Sequence, residues 1–242
     1  MHTGTVSFTA KTSGLEIEEI TVESAHPNIN FLTCPISEGG AIVINANLEE
    51  VYYEDWPVQE VVQEVQQFVD VLSFEFNRPI HSLRESGYSI KKNDGSGMSQ
   101  VSSSLVLVWD VVSDTLKPGG NSLEQVKQRF LNFRNSSSLR TYSSAIQQED
   151  PIARFIFLYN IILTLSGDKQ AVVDTNIISI APETPRTPSP IKPNMQETVY
   201  TRLRNEIAHN RVGADFGATS AEVNQWAPEL GRITRQLVLN NG

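Results

Sequence analysis

The segment YTRLRNEIAHNR, residues 200–211, holds the side chains best suited to chemistry. Val199, Leu203 and Ile207 recur every four residues and form the apolar side of a helix, leaving Arg202, Arg204, Asn205 and His209 on the rest of its surface. A histidine moves protons near neutral pH, and an arginine's planar fork holds an oxyanion through two donors at once. At about 100° per residue, Arg202 lies roughly 20° from His209, Asn205 roughly 40° and Arg204 roughly 140°. On a straight helix Arg202 is therefore the nearer neighbour of His209. Arg204 reaches it only through a distorted helix end or across a dimer axis. Arg211, two residues past His209, is a supporting cation.

Other chemistries find less support. His2, His26 and His81 are scattered, and neither HExxH, HxH nor CxxC occurs, so the sequence predicts no metal site and no cofactor. Cys34 stands alone and reads as a packed thiol, and no GxSxG elbow marks a hydrolase. The glycines of KKNDGSGMS precede no Lys-Ser/Thr pair and no helix, so Asp94-Gly95 reads as a hairpin turn rather than a phosphate loop.

The elements that must position these residues fall into two groups. Residues 1–115 form an expected α+β domain of short strands and one long helix. VSF, LEIEEITVE, INFLT and AIVINANL are rich in β-branched and aromatic residues between turn formers. From Val58 to Phe76 the apolar period changes to 3–4, which predicts a five-turn helix with Pro57 at its first position. Two strands around Asp94-Gly95 complete this domain.

LKPGGNS then reads as a linker ending in the N-cap Ser122, and residues 120–242 read as an all-helical bundle. Helices are expected over SLEQVKQRFLNFRN, LRTYSSAIQQ, from Asp150-Pro151 through Leu163, over 195–211 and over about 220–239, the last kinked by Pro228 and Gly231. The proline-rich segment 181–194 reads as an extended loop. Recruitment of a protein partner by this loop, or by the N-terminal domain, is the alternative to a passive connection.

Charge bears on partners. Residues 1–100 hold five Lys/Arg against fifteen Asp/Glu, so the N-terminal part is unsuited to polyanions. Lys117 to Arg140 holds five basic residues against Glu124 alone, and Lys127, Arg129 and Arg134 become candidate phosphate contacts. The longest apolar stretch, near Ile152 to Leu165, is interrupted by Arg154 and Asn160 and falls short of the ~20 residues a membrane span needs. The N-terminus lacks the apolar middle of a signal peptide, and the expected location is cytoplasmic.

Arg204-Asn205-Glu206-Ile207-Ala208-His209, on a late helix of a helical bundle, resembles the signature of the HEPN superfamily. That signature is an arginine, often followed by asparagine, then a histidine after four to six intervening residues. Arg204 matches with four and Arg202 with six. DPIARFIFLYNIILTL followed by ETVYTRLRNEIAHNR resembles the ApeA-like and MauJ-like branches in particular. The resemblance implies a bundle of four or five helices that forms a homodimer, with Arg204, Asn205 and His209 as catalytic residues in a shared cleft. It further implies metal-independent cleavage of RNA, in phage defence, abortive infection or a toxin-type stress response. A non-catalytic dimerisation or binding scaffold is the alternative.

Overall fold

The computed structural model describes residues 2–12, 14–35, 40–51, 58–92, 94–101, 115–134, 136–190, 193–209 and 215–241. The chain is α+β and divides into two compact units, Met1–Asn135 and Ser136–Gly242.

In the first unit, strands β1 (His2–Thr12), β2 (Ile20–Glu23), β3 (Ile29–Cys34), β4 (Ala41–Val51), β5 (Ile80–Lys92) and β6 (Gly97–Val101) form one antiparallel sheet in the order β2-β3-β4-β1-β5-β6. Strict alternation gives the sheet two unlike faces. Val6, Phe8, Ala10, Ile42, Ile44, Ala46 and Leu48 are buried, whereas Ser7 and Asn45 pair across β1 and β4 through a 2.8 Å side-chain hydrogen bond. β1 and β4 are longer than the short strands the sequence suggests, and LEIEEITVE forms a strand only over its last four residues, with Leu15 making a single bridge to Leu116. Gly95, at φ +83°, and the Asp94 carboxylate, which accepts from the Ser96 amide at 2.8 Å, close the β5–β6 hairpin. The strand expected beyond it, over 102–114, lies outside the described residues, as does Pro57.

Helix α1 (Val58–Phe76) buries Val61, Val65, Phe68, Val69, Leu72 and Phe74. It also buries Glu64 and Glu75; Glu64 accepts from Ser24 Oγ at 2.7 Å, and both carboxylates meet arginines from the next helix, α2 (Gly120–Asn132), and the turn after it. Arg129 Nε lies 2.8 Å from Glu75 Oε2, with its guanidinium 5.5 Å from the Phe74 ring centre. Arg134 lies 3.6 Å from Glu64, and Phe130 meets Phe68 edge-on at 5.7 Å. From sequence this helix is expected in the C-terminal bundle, with the boundary near 115–120. Its apolar stripe, Leu123, Val126 and Phe130, instead packs within the first unit. The helix also starts at Gly120 with Gly119 as N-cap, three residues before the expected cap at Ser122.

The second unit consists of α3 (Ser137–Ile146), α4 (Pro151–Leu165), α5 (Gln170–Ile180), a ribbon of β7 (Arg186–Pro188) and β8 (Gln196–Thr198), then α6 (Val199–His209) and α7 (Phe216–Asn241). Asp150 caps α4 by accepting from the Ile152 and Ala153 amides at 3.1 and 3.3 Å, with Pro151 in the first turn as expected. Phe155, Leu158, Tyr159 and Ile162 of α4 pack with Val223, Leu230 and Ile233 of α7 and with Tyr200 and Leu203 of α6 as one core. Helix α5 is not expected from the sequence pattern. Its apolar residues are mostly β-branched, and only Val173 and Ile177 are buried. Within the proline-rich segment only Arg186–Pro188 is a strand, β7, with a turn at Pro182-Glu183 before it; it pairs with β8 just beyond the segment, so α6 begins at Val199 rather than at 195. Helix α7 continues through Pro228. No helix among the described residues is long and apolar enough to cross a membrane, and no cluster there could hold a metal ion.

Candidate functional site

The position of α6 depends on a carboxylate brought from α5. Gly167 at φ +62° and Asp168 at φ +59° turn the chain sharply after α4, so that α5 starts at Gln170. One turn into α5, Asp174 Oδ1 accepts three hydrogen bonds from the start of α6. These come from the Thr198 amide at 3.0 Å, Thr198 Oγ1 at 2.7 Å and Thr201 Oγ1 at 2.7 Å. Asp174 thus caps a helix from which it is 24 residues distant in sequence. Thr201 spends its only proton on Asp174, so the Tyr159 hydroxyl, 2.9 Å away, is the donor to Thr201 Oγ1. Burial pushes the Tyr159 phenol up to about 12, which keeps that proton in place at neutral pH.

The other end of α6 is tied to α7. Arg202 Nη1 binds Glu206 at 2.8 Å and Arg202 Nη2 binds Glu222, while Glu206 also accepts from Thr219 Oγ1 at 2.9 Å. Arg202 is therefore committed to two carboxylates and is not the neighbour of His209 that a straight helical projection suggests. Arg204 is that neighbour. Its Nη1 donates to Asn205 Oδ1 at 3.1 Å and lies 3.1 Å from His209 Nε2. Helical projection compares Cβ directions, whereas a guanidinium on a long flexible stem crosses about 140° of helix surface near a helix end. Arginine has no acceptor, so in this hydrogen bond His209 Nε2 is the acceptor.

Asn205 is 6% exposed, and its carbonyl holds the arginine rather than the histidine. Asn205 and His209 face a cleft of about 600 Å³ lined also by the first turn of α5, by Lys169 and by the β7–β8 ribbon. The structure thus brings Arg204, Asn205 and His209 together. Arg211 lies outside the described residues. Lys127, Arg129 and Arg134 belong to the first unit, where they pair with Glu124, Glu75 and Glu64. Asp174, Tyr159, Thr198, Thr201 and Lys169 join the site without being marked by any motif in the sequence. The two threonines flank Val199-Tyr200 just ahead of the arginines, but nothing in the sequence marks Asp174 as their partner.

The second unit has a known counterpart. Residues 138–239 match the family model described as Methylamine utilization protein MauJ, a HEPN-like family. The match begins within α3 and ends within α7, so it spans nearly the whole second unit and takes in Arg204, Asn205 and His209. The ApeA-like part of the resemblance has no counterpart in it. No curated protein and no solved structure matches.

Proposed function

We propose that the MauJ-like unit is a metal-independent endoribonuclease that works as a homodimer. The contact of Arg204 with both Asn205 and His209 carries this reading. Together these residues supply an imidazole, a cation and an amide at the edge of a cleft. A scissile phosphate draws Arg204 Nη1 toward its own oxygens, since a charged acceptor outcompetes an imidazole nitrogen. The Nε2 lone pair is then free to take the proton of the ribose 2′-OH. The 2′-oxygen forms a bond to phosphorus, the bond from phosphorus to the 5′-oxygen breaks, and the departing oxygen takes up a proton. The products are a 2′,3′-cyclic phosphate and a 5′-hydroxyl. Arg204 stabilises the charge that builds on the phosphoryl oxygens. DNA has no 2′-OH and is not a substrate.

A homodimer places two such sets in one cleft and supplies the second proton-transfer group from the partner's His209. Phe216 supports this assembly. It opens α7 soon after His209 and, at 69% exposed, leaves a large ring for a partner to cover. The setting we assign is phage defence, abortive infection or a toxin-type stress response. The test is cleavage of mixed single-stranded RNA in EDTA by wild type and by His209→Ala. Cleavage by wild type alone, with cyclic-phosphate ends, supports the reading. Equal cleavage by both proteins removes His209 from the site. No cleavage by a folded dimer favours a binding scaffold.

A further inference from the structure

The cleft beside Arg204 and His209 is unlike a phosphate groove. Its rim carries Lys169, but Asp174 and Glu197 line it too, so a polyanion finds no net positive charge inside. It also exposes apolar surface. Val172 on α5 and Met195 ahead of β8 are 38% and 43% exposed, and both line the cleft. A third observation points to a ligand. Asn205 is nearly buried, its Oδ1 is occupied by Arg204, and its Nδ2 has no hydrogen-bond partner among the described residues. That donor opens onto the cleft rather than being sealed inside the protein, so an acceptor placed in the cleft can reach it.

Apolar walls, an unused donor and a lining without net positive charge suit a flat, uncharged group that carries acceptors. We propose that this cleft receives the base of an unstacked ribonucleotide whose phosphate sits at Arg204 and His209. The proposal rests on the ribonuclease reading and narrows its substrate to single-stranded RNA. The base lies against Val172 and Met195 and accepts from Asn205 Nδ2, as every nucleobase can through a carbonyl or ring nitrogen. Gln170 and Gln196, also on the lining, supply amides that adjust to different base edges. A base within a duplex is stacked on both faces and cannot enter.

The test titrates the full chain with adenosine 3′-monophosphate and, separately, with inorganic phosphate, by calorimetry. The nucleotide is expected to bind at least about tenfold more tightly than phosphate. The double variant Val172→Ser/Met195→Ser changes two half-exposed side chains and adds no charge. It is expected to keep its circular dichroism spectrum and its phosphate affinity, and to lose nucleotide affinity at least about fivefold. Equal affinity for the two ligands, or a double variant that binds the nucleotide as wild type does, overturns the proposal. The two readings fail separately. If wild type cleaves no RNA but the nucleotide preference holds and is lost in the double variant, the ribonuclease reading falls and the cleft assignment stands. If wild type cleaves single-stranded RNA and the double variant cleaves it with unchanged kcat/KM, the cleft assignment falls alone.

Discussion

Replacing Asp174 by alanine removes a single acceptor that serves three donors at the start of α6. Thr198 and Thr201 are fully buried, so water cannot replace the lost partner. A hydrogen bond to a charged group contributes about 1.5–3 kcal/mol, and three counted singly come to roughly 6 kcal/mol. They do not add, because they share one oxygen and because Thr201 can turn its proton toward the Tyr159 hydroxyl. The expected loss is about 3–4 kcal/mol, a large share of the ~5–15 kcal/mol that holds a domain together. Asp174→Asn keeps an acceptor and loses the charge, and should cost about half as much. The assay is urea unfolding followed by tryptophan fluorescence. Trp226 lies edge-on to Tyr200 at 6.0 Å and reports on the second unit once Trp56 and Trp109 are replaced by phenylalanine. With a slope of about 1–2 kcal/mol per molar urea, the midpoint should fall by roughly 2 M for the alanine variant. A shift under about 0.3 M would show that the carboxylate does not hold α6, and the capping argument would be withdrawn.

Arg202 and Arg204 should separate stability from cleavage. Arg202→Ala leaves Glu206 and Glu222 without their cation and should cost about 1–2 kcal/mol in urea melts while cleavage persists. Arg204→Ala should reverse that pattern, with cleavage lost and the melting midpoint nearly unchanged. In the first unit, a fragment of residues 1–135 should fold with a cooperative melt, whereas residues 1–118 should not. The shorter piece lacks Leu123, Val126, Phe130 and Phe133, whose burial at about 1.5–3 kcal/mol each approaches the stability of a small domain. Alkaline pH should destabilise the second unit. Burial pushes the Tyr142 and Tyr159 phenols up to about 12 from an ordinary value near 10. Below pH 10 both folded and unfolded states keep these protons and stability is full. Above it only the unfolded state releases them, so stability should fall by about 1.4 kcal/mol per pH unit per phenol until pH 12. Urea midpoints between pH 9 and 11.5, with phenolate absorbance at 295 nm, check this, and a flat midpoint would contradict it.

Wherever neighbours in sequence decide the outcome, the amino-acid string was sufficient. Asp150-Pro151 starts α4 because a cap and its helix are contiguous, and Asp94-Gly95 turns a hairpin because φ > 0 is a property of that glycine. The stripe from Val58 to Phe76 specifies α1, and the spacing of Val199 and Leu203 leaves Arg202, Arg204 and His209 off the buried side of α6, although Asn205 is itself buried and Ile207 only half-buried. That pattern also carried the HEPN-like resemblance, which the MauJ match over residues 138–239 supports.

Tertiary structure decided whatever depends on partners distant in sequence. An apolar stripe says that α2 must pack but not against what, and Glu64, Glu75 and Phe68 of α1 settled it. Helix α5 lacked a clear period because only Val173 and Ile177 are buried on it. Arg202 and Arg204 are equivalent as motif residues. They differ because Glu222, on another helix, captures one, and only the other remains to reach Asn205 and His209. Asp174 is an ordinary helix residue until the fold sets it beneath Thr198 and Thr201. Periodicity and capping act over a few residues and are written in the sequence, whereas ion pairs and buried hydrogen bonds select their partners by distance in space, which only the folded chain defines.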